Sequence, residues 1–332
     1  MTGEKENKRK AMVEVKRLLE LDRIYNMDCV EGMKLLPNEC IDLTVTSPPY
    51  DNLRKYKGFK WDFEGVAREL YRVTKQGGVV VWVVGDATIK GSETGTSFRQ
   101  ALYFKEIGFN LHDTMIYEKL NPMPKNDKRY TPAFEYMFIF TKGKIKTFNP
   151  ILLPCKYAGK KTSGTQYTAN GALKKKWGSG KPVKKTKVKS NIWAYPVGNV
   201  RVGHPAIFPE QLANDHIISW SNEGDLVIDP FMGSGTTAKM ALLNNRNFLG
   251  FEISEEYCKI ANERISKIQP IPSNEKPTPV ESSIKETSLE ELQEVNDKIY
   301  DLVRRCDKPD DCDQQLDELL KRQEELLEKE GL

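Results

Sequence analysis

Apolar positions along the chain fall into two alternating rhythms. Short runs rich in β-branched and aromatic residues read as strands at 23–29, 41–45, 79–84, 110–117 and 136–141. Two more end at Asp229 and at Glu252. Between the runs stand segments with helical spacing at 30–36, 67–74, 98–107, 211–219 and 236–243, and a last one that opens within 252–257 and runs to 268. Gln76-Gly77-Gly78 reads as a turn. Strands alternating with helices predict an α/β fold around a mostly parallel sheet, and the late pair 110–117 and 136–141 predicts its antiparallel edge. Positions 115–117 and 136–140 are predicted core.

Outside this pattern the chain changes character. Residues 1–20 read as a charged helix with few apolar positions, among them Val15, Leu18 and Leu19. Residues 269–287 are rich in proline and read as a linker. From 288 to 332 two leucine-rich stripes flank a turn at 307–311, which predicts an acidic helical hairpin. Packing on the body, self-association and partner binding all stay open for that hairpin, and it carries no chemistry. Six cysteines, at 29, 40, 155, 258, 306 and 312, lack metal-ligand spacing and are expected to be free thiols. No metal site is expected. No apolar run approaches the roughly 20 residues of a membrane span, and the first residues hold no signal-peptide core, so a cytoplasmic protein is expected.

Net charge is only +4, but its distribution is lopsided. Residues 271–332 carry 18 acids and 9 bases, a net of −9, which leaves +13 on the rest. From Tyr136 through Pro209 there is no Asp or Glu, while fourteen lysines crowd the interval. Such a composition cannot build much core, so 145–190 reads as an insertion that meets a polyanion. Lys160, Lys161, Lys174, Lys175, Lys176, Lys184 and Lys185 are candidates for phosphate contacts, and Gln166 for readout of a base edge. The basic loop after Tyr50, with Arg54 and Lys55, adds to that list.

Chemistry concentrates in two turns. Thr46-Ser47-Pro48-Pro49-Tyr50 ends the strand 41–45, because neither proline can extend the ladder. Asp229-Pro230-Phe231-Met232-Gly233-Ser234-Gly235-Thr236 joins a strand to a helix, where glycines allow close backbone approach to a ligand and the helix start offers free N–H groups. It lacks the G-x-G-x-x-G spacing, since residue 238 is alanine. Glu252 ends the next strand, at the offset expected of an acid that holds ribose hydroxyls.

Asp-Pro-Phe-x-Gly-Ser-Gly-Thr together with an earlier Ser-Pro-Pro-Tyr resembles the amino-group DNA methyltransferases, in the permuted order usually called β, over roughly residues 21–268. The resemblance implies a Rossmann-like methyltransferase sheet, S-adenosylmethionine as cofactor and double-stranded DNA as partner. It implies a catalytic half at 21–144, target recognition by the insertion 145–190 and a cofactor-binding half at 191–268. Ser47, Pro48, Pro49 and Tyr50 become catalytic candidates. Asp28, Cys29, Thr46, His204, Phe208, Asp229, Pro230, Phe231, Gly233, Ser234, Gly235, Thr236 and Glu252 become cofactor candidates, with Asp28 toward the adenine and Glu252 toward the ribose. Asp28 has a second reading, as the N-cap of the helix that follows.

The implied reaction is direct transfer to an exocyclic amino nitrogen of a flipped base, without a covalent intermediate. A leading serine resembles the cytosine-N4 enzymes, whereas adenine-N6 enzymes more often carry Asp or Asn there. A restriction–modification role, a cognate endonuclease and a homodimer are further implications. Cys155 follows Pro154, as in the nucleophile signature of cytosine-C5 enzymes, but it lies in the lysine-rich insertion and is not a catalytic candidate. An RNA methyltransferase and a non-catalytic DNA-binding shell are the competing classes. The retained Ser47, Tyr50 and glycines speak for an active enzyme.

Overall fold

The computed structural model describes residues 15, 18–49, 62–123, 128–176, 178–197 and 209–268, with single helical positions between 295 and 322. Tyr50, Arg54, Lys55, His204, Phe208 and the linker lie outside the described residues, as do most of the terminal helix and hairpin.

In chain order the first half forms β1 (Arg23–Asn26), α1 (Cys29–Lys34), β2 (Ile41–Thr46), α2 (Phe63–Val73), β3 (Thr74–Val84), the short pair β4 (Thr88–Ile89) and β5 (Ser92–Glu93), α3 (Thr96–Glu106), β6 (Asn110–Lys119) and β7 (Phe134–Thr141). Four three-residue strands follow, β8 (Leu152–Pro154), β9 (Thr165–Tyr167), β10 (Leu173–Lys175) and β11 (Thr186–Val188). The chain then forms β12 (Ile192–Tyr195), α4 (Glu210–Trp220), β13 (Leu226–Asp229), α5 (Thr236–Leu243), β14 (Asn247–Glu252) and α6 (Glu255–Ser266).

Eight strands make one sheet in the order β1-β14-β13-β2-β3-β7-β6-β12. Every neighbouring pair is parallel except those made by β7, which runs against both β3 and β6. The pair forms antiparallel as expected, but it is not the edge of the sheet. Beyond it lies one strand that the pattern did not indicate: β12 adds in parallel to β6 and buries Trp193 and Tyr195. Gln76-Gly77-Gly78 is not a turn but a bulge inside β3. Pairing with β2 shifts between Ile41↔Thr74 and Leu43↔Val79, and Gly77 takes a left-handed φ of 82° so that its N–H reaches the Lys142 carbonyl at 2.6 Å.

Alternation along the strands feeds two core layers. Leu43, Val45, Val79, Val81 and Val83 pack with Leu212, Ile217, Ala238 and Ala261 from α4, α5 and α6. Val80, Trp82, Val84, Ile228 and Phe251 pack with Met33, Leu70 and Phe104 from α1, α2 and α3, and Val15 and Leu19 reach into this layer. Strand residues buried on both faces are what a parallel sheet requires.

Thr44, in the middle of β2, is fully buried, and its hydroxyl has no hydrogen-bond partner. Thr44→Val keeps the shape and removes the desolvated hydroxyl. It is expected to stabilise the fold by about 1 kcal/mol, read as a rise of about 2–4 °C in Tm. A lower Tm would show that the hydroxyl is satisfied in solution.

Segment 145–190 touches the core through Ile145 and Ile151 near its start. Its described residues pair as two small antiparallel ribbons, β8 with β11 and β9 with β10, and at one isolated bridge between Lys161 and Pro182. Its ends are fastened to α4. Phe148 stacks on Trp220 at 5.1 Å, and Asn149 Nδ2 donates to the Ile218 and Ser221 carbonyls. At the other end Lys189 Nζ donates to Asp215 and to Tyr195 Oη. Cys29, Cys40, Cys155 and Cys258 are free thiols. Among the described residues no helix is long and apolar enough to cross a membrane, and no cluster of His, Cys, Asp or Glu is composed to hold a metal ion.

Candidate active site

Chain order reverses between β13 and β2. From β13 the chain moves outward through α5 to β14, and from β2 it moves the other way through α2 to β3. Crevices at such a point bind ligands outside the carboxyl ends of the strands. The two turns singled out by sequence leave those ends side by side.

They are joined directly. Thr46 Oγ1 donates to Asp229 Oδ1 at 2.6 Å, and the Phe231 N–H bonds the same oxygen at 3.0 Å. Thr237 Oγ1 adds a bond to the Val45 carbonyl at 3.2 Å. Thr46 is fully buried and its hydroxyl is taken up by Asp229. That bond ties the two turns together. Burial raises the Asp229 carboxyl to about 6, against the pull of its hydrogen bonds from Thr46 and Phe231. A carboxyl raised from 3.8 gives its stability below pH 4 and loses it as pH rises through 6. The wild type should therefore lose roughly 2–3 kcal/mol relative to Asp229→Asn between pH 4 and pH 7. Urea unfolding of both proteins across that range reads the difference, and a flat one would remove Asp229 from this role.

Glu252, at the end of β14, holds the glycine loop from the front. Oε2 accepts the Gly233 N–H and Oε1 accepts the Ser254 N–H, both at 2.8 Å. Burial pushes its carboxyl above the ordinary range. Each oxygen keeps a further lone pair for a hydroxyl donor. Gly233 and Gly235 turn through left-handed backbone at φ 52° and 83°. A Cβ on Gly235 would lie 2.9 Å from Ala261 Cβ, so only glycine fits there. Pro230, Ser234 and Thr236 are buried around the loop, and Phe231 packs edge-on against Trp82.

Asp28 settles as an N-cap. Its Oδ1 accepts from the Val30 and Glu31 N–H groups at 2.9 and 3.2 Å, which leaves Oδ2 without a hydrogen-bond partner among the described residues. Cys29 is buried beside it, and burial together with the charges of Asp28 and Asp229 pushes its thiol up to about 12. The thiol is therefore neutral, and it packs into the second core layer. Ser47 is half-buried, Pro48 buried and Pro49 half-buried where the ladder stops. Lys160, Lys161, Lys174, Lys175, Lys176, Lys184 and Lys185 are all exposed on the insertion. The β9–β10 ribbon sets Gln166 opposite Lys174.

Residues 41–263 match the DNA methylase family N6_N4_Mtase. The chain belongs to that family. This DNA methylase is 61% identical over 235 residues to the orphan methyltransferase M.BamHII of Bacillus amyloliquefaciens, covering 68% of its own length and 88% of the relative's. It is 29% identical over 265 residues to the DNA adenine methyltransferase YhdJ of Escherichia coli K12, covering 74% and 83% of the two chains. Its fold is shared by TTHA0409 of Thermus thermophilus, solved in complex with S-adenosyl-L-methionine, at TM-score 0.52 and 24% identity over 76% and 95% of the chains.

Sequence reasoning missed the partners that come from elsewhere in the methylase. Thr237 braces β2, Asn26 Nδ2 donates to the Glu252 and Ile253 carbonyls, and Arg264 reaches the glycine loop from α6. None was singled out by a motif. An arginine on an amphipathic helix carries no signal of where its head lands.

Proposed function

We propose that this DNA methylase transfers a methyl group from S-adenosylmethionine to the N4 amino group of a cytosine swung out of duplex DNA. The observation that carries the reading is the Ser47-Pro48-Pro49 turn leaving β2 beside the glycine loop leaving β13. The bound cofactor supplies an electrophilic methyl on a sulfonium sulfur. The residues present suit it. The buried Asp229 and half-buried Glu252 carboxyls favour a nearby cation, Glu252 offers lone pairs to ribose hydroxyls, and Asp28 keeps Oδ2 for the adenine side. Asp229, Pro230, Phe231, Gly233, Ser234, Gly235 and Thr236 form the wall around it, and His204 and Phe208 are assigned to the methionine side.

An exocyclic amino nitrogen is a poor nucleophile because its lone pair is drawn into the ring. The Ser47 hydroxyl and the Pro48 carbonyl accept its hydrogens and localise that pair, and the proline rings hold the acceptors still. Tyr50 stacks on the flipped base. Rate then comes from positioning and electrostatics, with no covalent step. The exposed lysines of 145–190 grip phosphates, and Gln166 reads a base edge. The family spans N6 and N4 enzymes, and the relative named as an adenine methyltransferase makes adenine N6 the alternative. The word orphan in the name of the 61% relative favours action without a paired endonuclease.

Mass spectrometry of nucleosides from duplex DNA incubated with the protein and S-adenosylmethionine tests the reading. N4-methylcytosine supports it. N6-methyladenine keeps the mechanism but overturns the choice of base, and unmodified DNA with methylated RNA overturns the substrate.

A further inference from the structure

The glycine loop is held from behind by the last helix of the fold. Arg264 Nη1 donates to the Ser234 carbonyl and, at 2.9 Å, to its hydroxyl, with Thr236 Oγ1 at 3.5 Å. Nη2 donates to Glu210 Oε1 at 2.7 Å. Glu210 opens α4, and both its oxygens also receive Lys239 Nζ of α5 at 2.8 Å. One carboxylate thereby joins α4, α5 and α6 around the outer side of the loop. The arginine is 14% exposed and Glu210 41%, so the guanidinium is largely shielded while the carboxylate keeps a face to water.

We propose that Arg264, oriented by Glu210, is a positioning residue that sets the geometry of the cofactor loop. The planar guanidinium makes this possible. Nη1 takes the two oxygens of Ser234 while Nη2 takes one oxygen of the Glu210 carboxylate, so the guanidinium cannot rotate without breaking one set. Glu252 fixes the Gly233 N–H from the opposite side. Between these two anchors, turns at left-handed glycines are held in one arrangement before any ligand arrives. Pre-ordering of this kind lowers the entropy that binding must otherwise supply. Neither residue needs to touch the reacting atoms. The inference rests on the reading that the Gly233–Gly235 loop holds S-adenosylmethionine.

The test is calorimetry with S-adenosylmethionine on Arg264→Gln, Arg264→Lys and Glu210→Gln, together with steady-state rates on DNA and melting curves without cofactor. Arg264→Gln is expected to raise Kd and KM for the cofactor about tenfold, with kcat within threefold and KM for DNA unchanged. Arg264→Lys should recover part of the loss, and Glu210→Gln should fall between the two. A merely structural role would lower Tm and shift every kinetic constant together, which would overturn the proposal. So would an Arg264→Gln protein that binds the cofactor within twofold of wild type. If that variant does not fold, Arg264→Lys, which keeps the charge and loses the fork, decides by the same criterion. Gly235→Ala separates the two levels. If it too leaves cofactor binding unchanged, the loop reading itself has failed; if it alone weakens binding, only the Arg264 inference has.

Discussion

Glu252→Ala is expected to weaken S-adenosylmethionine binding by two to three orders of magnitude. The carboxylate does two jobs at once. It accepts the Gly233 N–H through Oε2 and the Ser254 N–H through Oε1, and it offers its remaining lone pairs to the ribose. Alanine leaves two N–H groups unpaired and removes the ribose acceptor. Hydrogen bonds to a charged group are worth about 1.5–3 kcal/mol each, so losing a pair of them at the lower end of that range, about 1.5–2 each, gives roughly 3–4 kcal/mol, a factor of about 10² to 10³. Glu252→Gln keeps one acceptor oxygen but turns an N–H donor toward the other backbone N–H, so it should lose about half that free energy. Calorimetry reads both. A loss under threefold for alanine would leave Glu252 as a brace of the two turns and nothing more.

Ser47→Ala should lower the methyl-transfer rate by about 10²-fold, as removal of one preorganised hydrogen-bonding group does elsewhere. Cofactor affinity should stay as it was, because Ser47 lies on the β2 turn and the cofactor loop on β13. The residue is half-buried at the point where β2 ends, rigid between a buried strand and two prolines. Its loss takes away the side-chain acceptor for the amino hydrogens, and the Pro48 carbonyl remains. Single-turnover rates on duplex DNA isolate the chemical step from product release. A rate within fivefold of wild type would assign the acceptor role to the backbone carbonyl alone. A parallel rise in cofactor Kd would place Ser47 on the cofactor side instead.

Much of this site was legible because its signals are local. A strand that ends in two prolines, a Gly-Ser-Gly turn before a helix and an acid at the end of the next strand are each written in a few adjacent residues. The helix 236–243 and the strand cores were equally visible, since a period of 2 or 3.6 is imposed by the backbone itself. Asp28 shows where local reading divides. The same acid suits an N-cap and a ligand contact, and only coordinates show its Oδ1 given to the cap.

By itself, then, the sequence determined the class of fold, the two turns, the basic insertion and the resemblance to a family that residues 41–263 bear out. Tertiary structure decided what depends on distance along the chain. Thr46 meets Asp229 across 183 residues and Arg264 meets Glu210 across 54, and no periodicity encodes such pairings. The bulge at Gly77 and the added strand β12 belong with them. Each is chosen by which neighbour offers a free ladder edge or carbonyl, and that neighbour exists only once the sheet has assembled.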